Sequence, residues 1–249
     1  MKRVKSINHP DRIHELRQII EKKKSLQLYY LETYQKYQNC LNRCPPQGVA
    51  LELGSGGGFV KQVLPEVITS DLIPYEGVDQ VIDATHLNFA DQSLRAIFLS
   101  NVFHHIPDVE AFLKEANRCL LPEGRIFISD PYYGRLSSWI YQYLHHEPFD
   151  PDAKSWSFKS SGPLSDANGA LAWIVFQRDL SRFTKTFPQL KLVHFQPHSP
   201  LRYWLMGGLK RWNLLPKSLF KIATRLDNSL VRLSPHFASF VDIELVKSR

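Results

Sequence analysis

The chain has 249 residues, of which 43% are hydrophobic and 22% are charged, a balance typical of folded globular proteins and unlike that of disordered ones. Its net charge of +7 suits an anionic partner, but the sequence has neither a long basic run nor an RNA-binding signature, which disfavours nucleic acid. Its three cysteines lack metal-type spacing and argue against a disulfide framework and a zinc site, so we predict no metal ligands.

The first predicted element is a helical arm. Residues 12–41 contain neither Gly nor Pro, and apolar side chains recur in them at helical intervals. Pro45, Pro46 and Gly48 end the helix, so the arm covers residues 1–45. No apolar run follows the basic N-terminus, and none approaches the roughly 20 residues that span a bilayer. We therefore expect a cytoplasmic protein without a secretory signal.

Short apolar segments follow the arm and alternate with helical ones. The predicted strands cover residues 49–53, 67–70, 80–82, 96–99 and 125–129, and a helix covers residues 109–121. Short buried strands separated by helices predict a parallel sheet that is covered on both faces. Right-handed crossovers bring the loops after each strand to one edge of such a sheet.

The pattern weakens after residue 131. It indicates a helix over 134–146, a loop over 150–170, a helix over 170–187 and strands over 190–195 and 237–246. Because this length favours one domain over two, we expect residues 46–130 to form its core. Residues 131–249 would be an elaboration that carries the final strands.

The most informative segment is a glycine-rich loop directly after the first strand, residues 52–58, with the sequence ELGSGGG. Glycines there let the backbone turn tightly and approach a ligand, and the helix expected to follow would offer free N–H groups. Phe59 stands where a dinucleotide fingerprint needs its third glycine, and no Gly-Lys pair of a P-loop follows. Glu52 at the strand end would repel a pyrophosphate but suits an ammonium or hydroxyl group.

This loop resembles motif I of the class I S-adenosylmethionine (SAM) dependent methyltransferases, and later segments extend the resemblance in the same order. They are Asp71, 19 residues after Glu52, and residues 83–89 (DATHLNF), 99–108 (LSNVFHHIPD) and 120–125 (LLPEGR). The series looks most like the type 11 branch, whose members act on small molecules. It departs from the family pattern at Leu94-Arg95, where an Asp is common, and at Glu123, where a glycine is usual.

The resemblance implies a Rossmann-like, doubly wound α/β fold. Its sheet would be mostly parallel and seven-stranded, with an N-terminal helical arm and a C-terminal helical insertion. Residues 46–130 would then be the SAM-binding core, and SAM would be the cofactor.

The resemblance also implies cofactor contacts at matching positions of this sequence. Glu52 would balance the amino group of SAM, and Asp71 would bind the ribose hydroxyls. The methionine part would lie against Gly54, Ser55, Gly56 and Gly58, with Ser100 and Asn101 beneath it, and the adenine against Leu72, Asp83 and Ala84. The alternative for Asp71 and Asp83 is that they are turn residues at strand ends.

Two histidines after the fourth strand, His104 and His105, are the candidate catalytic residues. Histidine titrates in the range that suits a general base, and a base helps where the acceptor atom is oxygen or carbon. We favour His105 over His104 as the base; the alternative is that one of them packs or caps. Asp130, Tyr132 and Tyr133 follow the fifth strand and would either face the acceptor or form an aromatic turn.

The acceptor site is expected from parts outside the common core, and residues 200–235 are the most informative of these. Lys217, Lys221 and Arg225 recur at helical spacing beside an apolar stripe. The stripe consists of Leu219, Ile222, Ala223, Leu226, Leu230 and Leu233. Such a helix either docks on an anionic membrane surface and covers a lipid-linked acceptor, or completes the protein core.

The leading hypothesis is therefore a SAM-dependent methyltransferase with a small-molecule or lipid-linked acceptor. The alternatives are a quinone- or sterol-type C-methyltransferase, a SAM-binding module without turnover, and an RNA methyltransferase, which only the charge favours. The sequence leaves the oligomeric state open.

Overall fold

The computed structural model describes residues 9–145, 147–162 and 165–249. Its strands are β1 Val49–Leu53, β2 Val67–Asp71, β3 Gln80–Val81, β4 Leu94–Ser100, β5 Leu120–Pro131, β6 Leu190–His198 and β7 Phe240–Lys247. They form a seven-stranded sheet in the order β3-β2-β1-β4-β5-β7-β6. The pairs among β1 to β5 are parallel, and β7 runs antiparallel to β5 and β6. The predicted mostly parallel, Rossmann-like sheet is confirmed.

Helices cover both faces of this sheet. Their bounds are α1 Arg12–Lys22, α2 Lys24–Leu41, α3 Val109–Cys119, α4 Arg135–Tyr143, α5 Leu171–Trp173, α6 Leu180–Thr186, α7 Arg202–Leu205 and α8 Phe220–Leu233. The central strand β4 alternates between two apolar clusters, as a doubly covered strand must. Ile97 and Leu99 join the cluster that includes α3 and residues 170–187, whereas Ala96 and Phe98 join the cluster that includes α2.

The prediction of a helix directly after the glycine loop was wrong. The chain makes only a short 3-10 turn there, Val60–Gln62. Pro65 lies seven residues after Gly58, which leaves little room for a helix because a proline disfavours the helical conformation of the residue before it. The second helix of the N-terminal arm covers this part of the sheet instead, with the ring of Tyr37 stacked on Phe98 at 4.3 Å between centroids.

The N-terminal arm is helical, but it is broken at Lys23 rather than continuous. The backbone of Lys23 leaves the helical region, with φ −103° and ψ 89°. Its buried ammonium group donates to the carbonyl oxygens of Met206 (2.8 Å), Gly208 (3.0 Å) and Lys210, and burial lowers its pKa. The break thus lets one cation tie the arm to the C-terminal insertion. Residues 1–8 lie outside the described part of the chain.

The helix predicted over residues 170–187 is interrupted. A π-helical turn, Ile174–Arg178, separates α5 from α6, and the amide of Asp179 donates to Ile174 O at 2.8 Å. The Asp179 carboxylate accepts from Trp156 Nε1 at 2.9 Å. The other late elements differ from their predicted bounds by a few residues at their ends, and His146, the last residue of the helix predicted over 134–146, is not among the described residues.

The apolar stripe of α8 does not complete the core. Of the fourteen residues of α8, only Phe220 and Asp227 are buried. Within the stripe, Ile222 is 60% exposed and Leu233 is 79% exposed. The interpretation of this stripe as a core face is therefore wrong for its four exposed members, Leu219, Ile222, Leu226 and Leu233, whereas Ala223 packs against an apolar cluster that includes Phe220. Within the described residues, no helix is both long and apolar enough to cross a membrane.

Candidate active site

A cavity of about 440 Å³ lies where β1, β2 and β4 end, a volume in the range of ligand-binding pockets. Three segments outside the sheet complete its wall: the arm, residues 140–147 and residues 203–212. The lining includes both candidate histidines, His104 and His105, and ten of the expected cofactor residues, which are Glu52, Gly54, Ser55, Gly56, Asp71, Leu72, Asp83, Ala84, Ser100 and Asn101. Gly58 is not among the lining residues.

The first glycines of the loop have conformations that favour glycine. Gly54 has φ +67°, and a Cβ there would lie 2.3 Å from Cγ2 of Val102. Gly56 has φ +47°, but a Cβ there would meet nothing closer than 4.0 Å. The backbone at Gly56 therefore borders open space in the cavity and leaves room for a ligand to approach it closely.

The last glycines of the loop fit the helical arm instead. A Cβ on Gly58 would lie 2.7 Å from the hydroxyl of Tyr34, and a Cβ on Gly57 would lie 2.9 Å from Cβ of Leu16. The Tyr34 hydroxyl also accepts a hydrogen bond from the amide of Phe59 at 2.9 Å. These contacts hold the loop against α1 and α2, a requirement that local sequence does not reveal.

Glu52 presents a buried carboxylate at the end of β1. Only 4% of the residue is exposed, and burial raises its pKa to about 7 against the opposing effect of the nearby Ser55 and Tyr37 hydroxyl groups. Its Oε2 atom has no hydrogen-bond partner within the described structure. An unpartnered buried carboxylate oxygen is costly, so this atom is suited to a cationic or hydroxyl-bearing ligand.

Asp71, at the end of β2, binds the glycine loop. Its Oδ2 accepts from the amide of Gly56 at 3.0 Å and its Oδ1 from the amide of Ile73 at 3.1 Å. Burial raises its pKa, while these backbone donors act in the opposite direction. Each carboxylate oxygen has a second lone pair, so Asp71 can still accept from a ligand hydroxyl. Leu72 beside it is half-exposed on the cavity wall.

Asp83 forms a local turn as well as lining the cavity. Its Oδ1 accepts from the amide of Thr85 at 2.8 Å and from the Thr85 hydroxyl at 2.7 Å, so Asp83 is a turn residue, and its expected contact with the adenine stays a prediction. Asn101 has a left-handed backbone, φ +55°, which is uncommon outside glycine. Its amide donates to Ser129 O at 2.8 Å, which fixes the bend after β4.

His104 is held in a buried ionic network. Its amide donates to Asp130 Oδ2 at 3.1 Å, and its Nδ1 lies 2.9 Å from Asp130 Oδ1. Its Nε2 faces Glu147 Oε2 at 3.5 Å. Burial opposes the charged ring, but Asp130 and Glu147 outweigh burial and raise the pKa of His104 to about 10. Because such a histidine keeps its proton at neutral pH, His104 suits a fixed cation better than a general base.

His105 is more accessible than His104. Its Nδ1 lies 3.2 Å from the carbonyl oxygen of Asp166, and its Nε2 lies 3.6 Å from Glu147 Oε1. Burial raises the pKa of Glu147, but the neighbouring histidines outweigh burial and lower it to about 2. Glu147 is therefore a carboxylate that faces three histidine rings, since His145 Nδ1 also lies 3.5 Å from its Oε2.

The three residues expected at the acceptor after β5 do not line the cavity. Asp130 is buried behind His104, and the Tyr132 hydroxyl lies 3.3 Å from Gln177 Oε1. Tyr133 packs on Trp173, with 4.6 Å between ring centroids.

Sequence reasoning missed several wall residues. These are Tyr30 and Tyr34 of the arm, Tyr141 and Glu147 of the middle segment, and Tyr203 and Trp204 of the insertion. One signal was available for Glu147, because it follows a second pair of histidines, residues 145–146. The aromatic residues carry no distinguishing local pattern.

Comparison with known proteins agrees with this architecture. Residues 51–128 match a family model described as a methyltransferase domain, Methyltransf_11. No curated protein matches the sequence.

Two solved structures show the same fold. The first is geranyl diphosphate C-methyltransferase from Streptomyces coelicolor A3(2), crystallised with Mg²⁺, geranyl diphosphate and S-adenosyl-L-homocysteine. Its sequence is 13% identical and its TM-score is 0.54, and the match covers 94% of this chain and 82% of that chain. The second is a chain from the complex between the Haloferax volcanii Trm112 methyltransferase activator and its assigned methyltransferase. It is 15% identical with a TM-score of 0.50, and the match covers 94% of this chain and 98% of that chain. Residues 51–128 thus match the methyltransferase-domain model, within a sheet that the rest of the chain completes.

Proposed function

We propose that this chain is a SAM-dependent methyltransferase whose acceptor is a small or lipid-linked molecule. The observation that carries the proposal is the buried Glu52 carboxylate, whose Oε2 lacks a partner among the described residues, at the start of the glycine loop. SAM has an ammonium group and a ribose diol. Glu52 and Asp71 offer acceptors for these two groups on the wall of one cavity.

The residues present fit this cofactor. Open space beside the backbone of Gly56 leaves room for the methionine part. Leu72 offers an exposed apolar surface for the adenine, next to Asp83 and Ala84. The resemblance places Gly58 at the methionine, but in this structure Gly58 packs against Tyr34 of α2. We therefore omit it from the proposed contacts.

SAM supplies an activated methyl group when it is bound, so the protein's main tasks are to position the acceptor and to exclude water. Aromatic side chains of the arm, of α4 and of the insertion line the part of the cavity that we assign to the acceptor, among them Tyr30, Tyr141 and Trp204. His105, which is less deeply buried than His104, remains our candidate for accepting a proton from an acceptor hydroxyl.

Calorimetry with SAM tests the cofactor assignment. We expect Glu52→Gln to weaken SAM binding by at least about tenfold, since a charge-assisted hydrogen bond is replaced by a neutral one. Glu66→Gln is the matched control, because Glu66 is exposed, does not line the cavity, and should leave the affinity unchanged. Equal SAM affinity in wild type and Glu52→Gln would contradict the proposal.

Turnover is a separate test. Protein with labelled SAM and either lipid or aqueous cell extract should transfer label to one of the two fractions, which identifies the acceptor class. His105→Ala should slow this transfer while leaving SAM affinity intact. SAM binding without transfer to either fraction would instead favour a binding module without turnover.

The exposed side of α8 leads us to propose that the protein docks on an anionic membrane surface. This α8 face consists of Leu219, Ile222, Leu226 and Leu233, flanked by Lys217, Lys221 and Arg225. Residues 201–235 contain seven basic residues and one acidic residue. Arg202 and Asp227 are buried and face each other, so the other six basic residues supply the exposed charge. Such a basic amphipathic helix suits the interface of anionic lipids.

The cavity opens beside similar exposed apolar side chains. Leu144, Leu209 and Trp212 line the cavity and are also exposed at the protein surface. An acceptor with a lipid tail could therefore bind with its tail along this rim and its head group inside the cavity.

Flotation with vesicles tests the docking proposal. Wild-type protein should float with vesicles of anionic lipid at low salt and less with neutral vesicles. Ile222→Glu should abolish flotation, whereas Thr186→Glu adds the same charge at an exposed position at the end of α6, outside residues 200–235, and should leave flotation nearly unchanged. Failure of the wild type to float, or equal flotation of the two variants, would refute the docking surface.

A further inference from the structure

Two histidines and one glutamate in the cavity are placed like the ligands of a metal ion. One candidate ligand atom each from His104, His105 and Glu147 lies within 4.8 Å of the others. Nε2 of His104 is 3.5 Å from Glu147 Oε2, and Nε2 of His105 is 3.6 Å from Glu147 Oε1. The two rings lie side by side, with 4.2 Å between their centroids.

These separations exceed those of direct charge-assisted hydrogen bonds, which are about 2.7–2.9 Å. They are close to the roughly 3.3 Å that separates two ligand atoms of a tetrahedral zinc ion with bonds of about 2.0–2.1 Å. The two distances end on different oxygens of Glu147, and the set of three ligand atoms spans up to 4.8 Å, so the two rings and the carboxylate must move closer together to hold one ion.

The other nitrogen of each ring is oriented as in metal-binding histidines. Nδ1 of His104 faces the Asp130 carboxylate at 2.9 Å, and Nδ1 of His105 faces the carbonyl oxygen of Asp166 at 3.2 Å. Both partners accept hydrogen bonds, so Nδ1 is the donor in each ring. Carboxylates and carbonyl oxygens orient metal-binding histidines in this way. An ion bound at Nε2 would displace the proton that His104 otherwise carries between Asp130 and Glu147, because a metal-binding imidazole is neutral.

We propose that His104, His105 and Glu147 bind one divalent transition-metal ion, of which zinc is the representative. Two imidazoles and one carboxylate favour such an ion over magnesium, which prefers oxygen ligands. Three protein ligands leave a fourth position, as in catalytic zinc sites. All three residues line the cavity, so that position faces the space assigned to the acceptor.

The ion would bind an oxygen atom of the acceptor, a role that rests on the proposed methyltransferase function. A metal ion lowers the pKa of a bound hydroxyl group. With the ion bound, His105 would be a ligand and no longer the base, so the hydroxyl would release its proton to solvent. Its oxygen would form the bond to the methyl carbon, and the electron pair of the broken C–S bond would remain on sulfur. The products are a methyl ether and S-adenosylhomocysteine.

Metal titration tests the site without any acceptor. Protein purified without a histidine tag and stripped with a chelator should bind one Zn²⁺ per chain in equilibrium dialysis, and Co²⁺ should give the visible absorption of a tetrahedral site. Glu147→Gln and His105→Ala should each weaken binding by at least about tenfold, as loss of a ligand requires. His194→Ala, at an exposed histidine outside the cavity, should bind as the wild type does.

The same samples are titrated with SAM, so that variants which retain SAM binding are known to be folded. Wild-type protein that binds SAM but no stoichiometric metal ion overturns the inference and leaves the proposed function standing. Wild-type protein that binds one ion but no SAM supports the metal site and contradicts the proposed function. Equal metal affinity in Glu147→Gln and wild type also overturns the inference.

Discussion

The amide of Gly56 donates a hydrogen bond to Oδ2 of Asp71 at 3.0 Å, so the acid at the end of β2 shapes the loop that leaves β1. The other carboxylate oxygen of Asp71 accepts from the amide of Ile73. The residue that we assign to the ribose therefore also organises the backbone around the cofactor.

We expect substitutions of Asp71 to loosen the glycine loop. Asp71→Asn retains one carbonyl oxygen for two backbone donors, and Asp71→Ala retains none, so the free energy of unfolding should fall by about 1–3 kcal/mol and more for alanine. Amide hydrogen exchange at Gly56 should accelerate in both variants. Unchanged exchange at that amide would mean that the hydrogen bond does not restrain the loop.

The buried Glu52 carboxyl group should make the protein less stable as pH rises. The folded protein keeps this proton up to about pH 7, whereas the unfolded chain releases it near the ordinary pKa of 4.5. Between these values the folded state binds more protons, so the free energy of unfolding falls with increasing pH. This carboxyl group should lower the free energy of unfolding of the wild type by up to about 3 kcal/mol over this pH range. Glu52→Gln cannot ionise at this position and should not show that loss.

Urea denaturation of both proteins at several pH values between about 4 and 8 measures this difference. Other ionisable groups contribute equally to the two curves, so only their divergence is informative. Parallel curves would show that Glu52 does not carry a raised pKa.

Two glycines of the loop should respond differently to alanine. Gly54→Ala adds a Cβ 2.3 Å from Val102 Cγ2 and forces an alanine into φ +67°, so we expect loss of SAM binding and a large drop in the melting temperature. Gly56→Ala has the positive φ but open space, and should lower the free energy of unfolding by only about 1 kcal/mol. Thermal melts decide between them, and a larger drop for Gly56→Ala would contradict the described packing.

Removal of the Lys23 ammonium group should detach the cavity wall formed by residues 206–210. Lys23→Met leaves three carbonyl oxygens without their shared donor, and we expect a loss of at least about 2 kcal/mol in the free energy of unfolding. Lys24→Met is the matched control, since Lys24 is exposed and donates only to Gln27 Oε1 in the same arm. Similar stability of the two variants would argue against this anchor.

The sheet could be predicted because its strands are buried on both faces and appear as short apolar runs, as β4 does around Ile97 and Leu99. Spacing and the family resemblance also supplied the glycine loop and its acids. The contacts of Lys23 and Glu147 could not be predicted, because their partners are distant in the sequence. Lys23 donates to Met206, 183 residues away, and Glu147 faces His104 in the turn after β4. No periodicity within one segment encodes such a pairing. The break in the arm and the role of Gly58 escaped for the same reason.

The position of α2 has a mechanical consequence. Tyr34 packs in the apolar layer beneath the sheet and also accepts the hydrogen bond from Phe59 at the end of the glycine loop. A force, a fusion or a binding partner that displaces the arm would therefore strain the glycine loop through this hydroxyl group and through the contact of Gly57 with Leu16. Replacing the arm would therefore alter the affinity for the cofactor even if no residue at the ends of β1, β2 and β4 were changed.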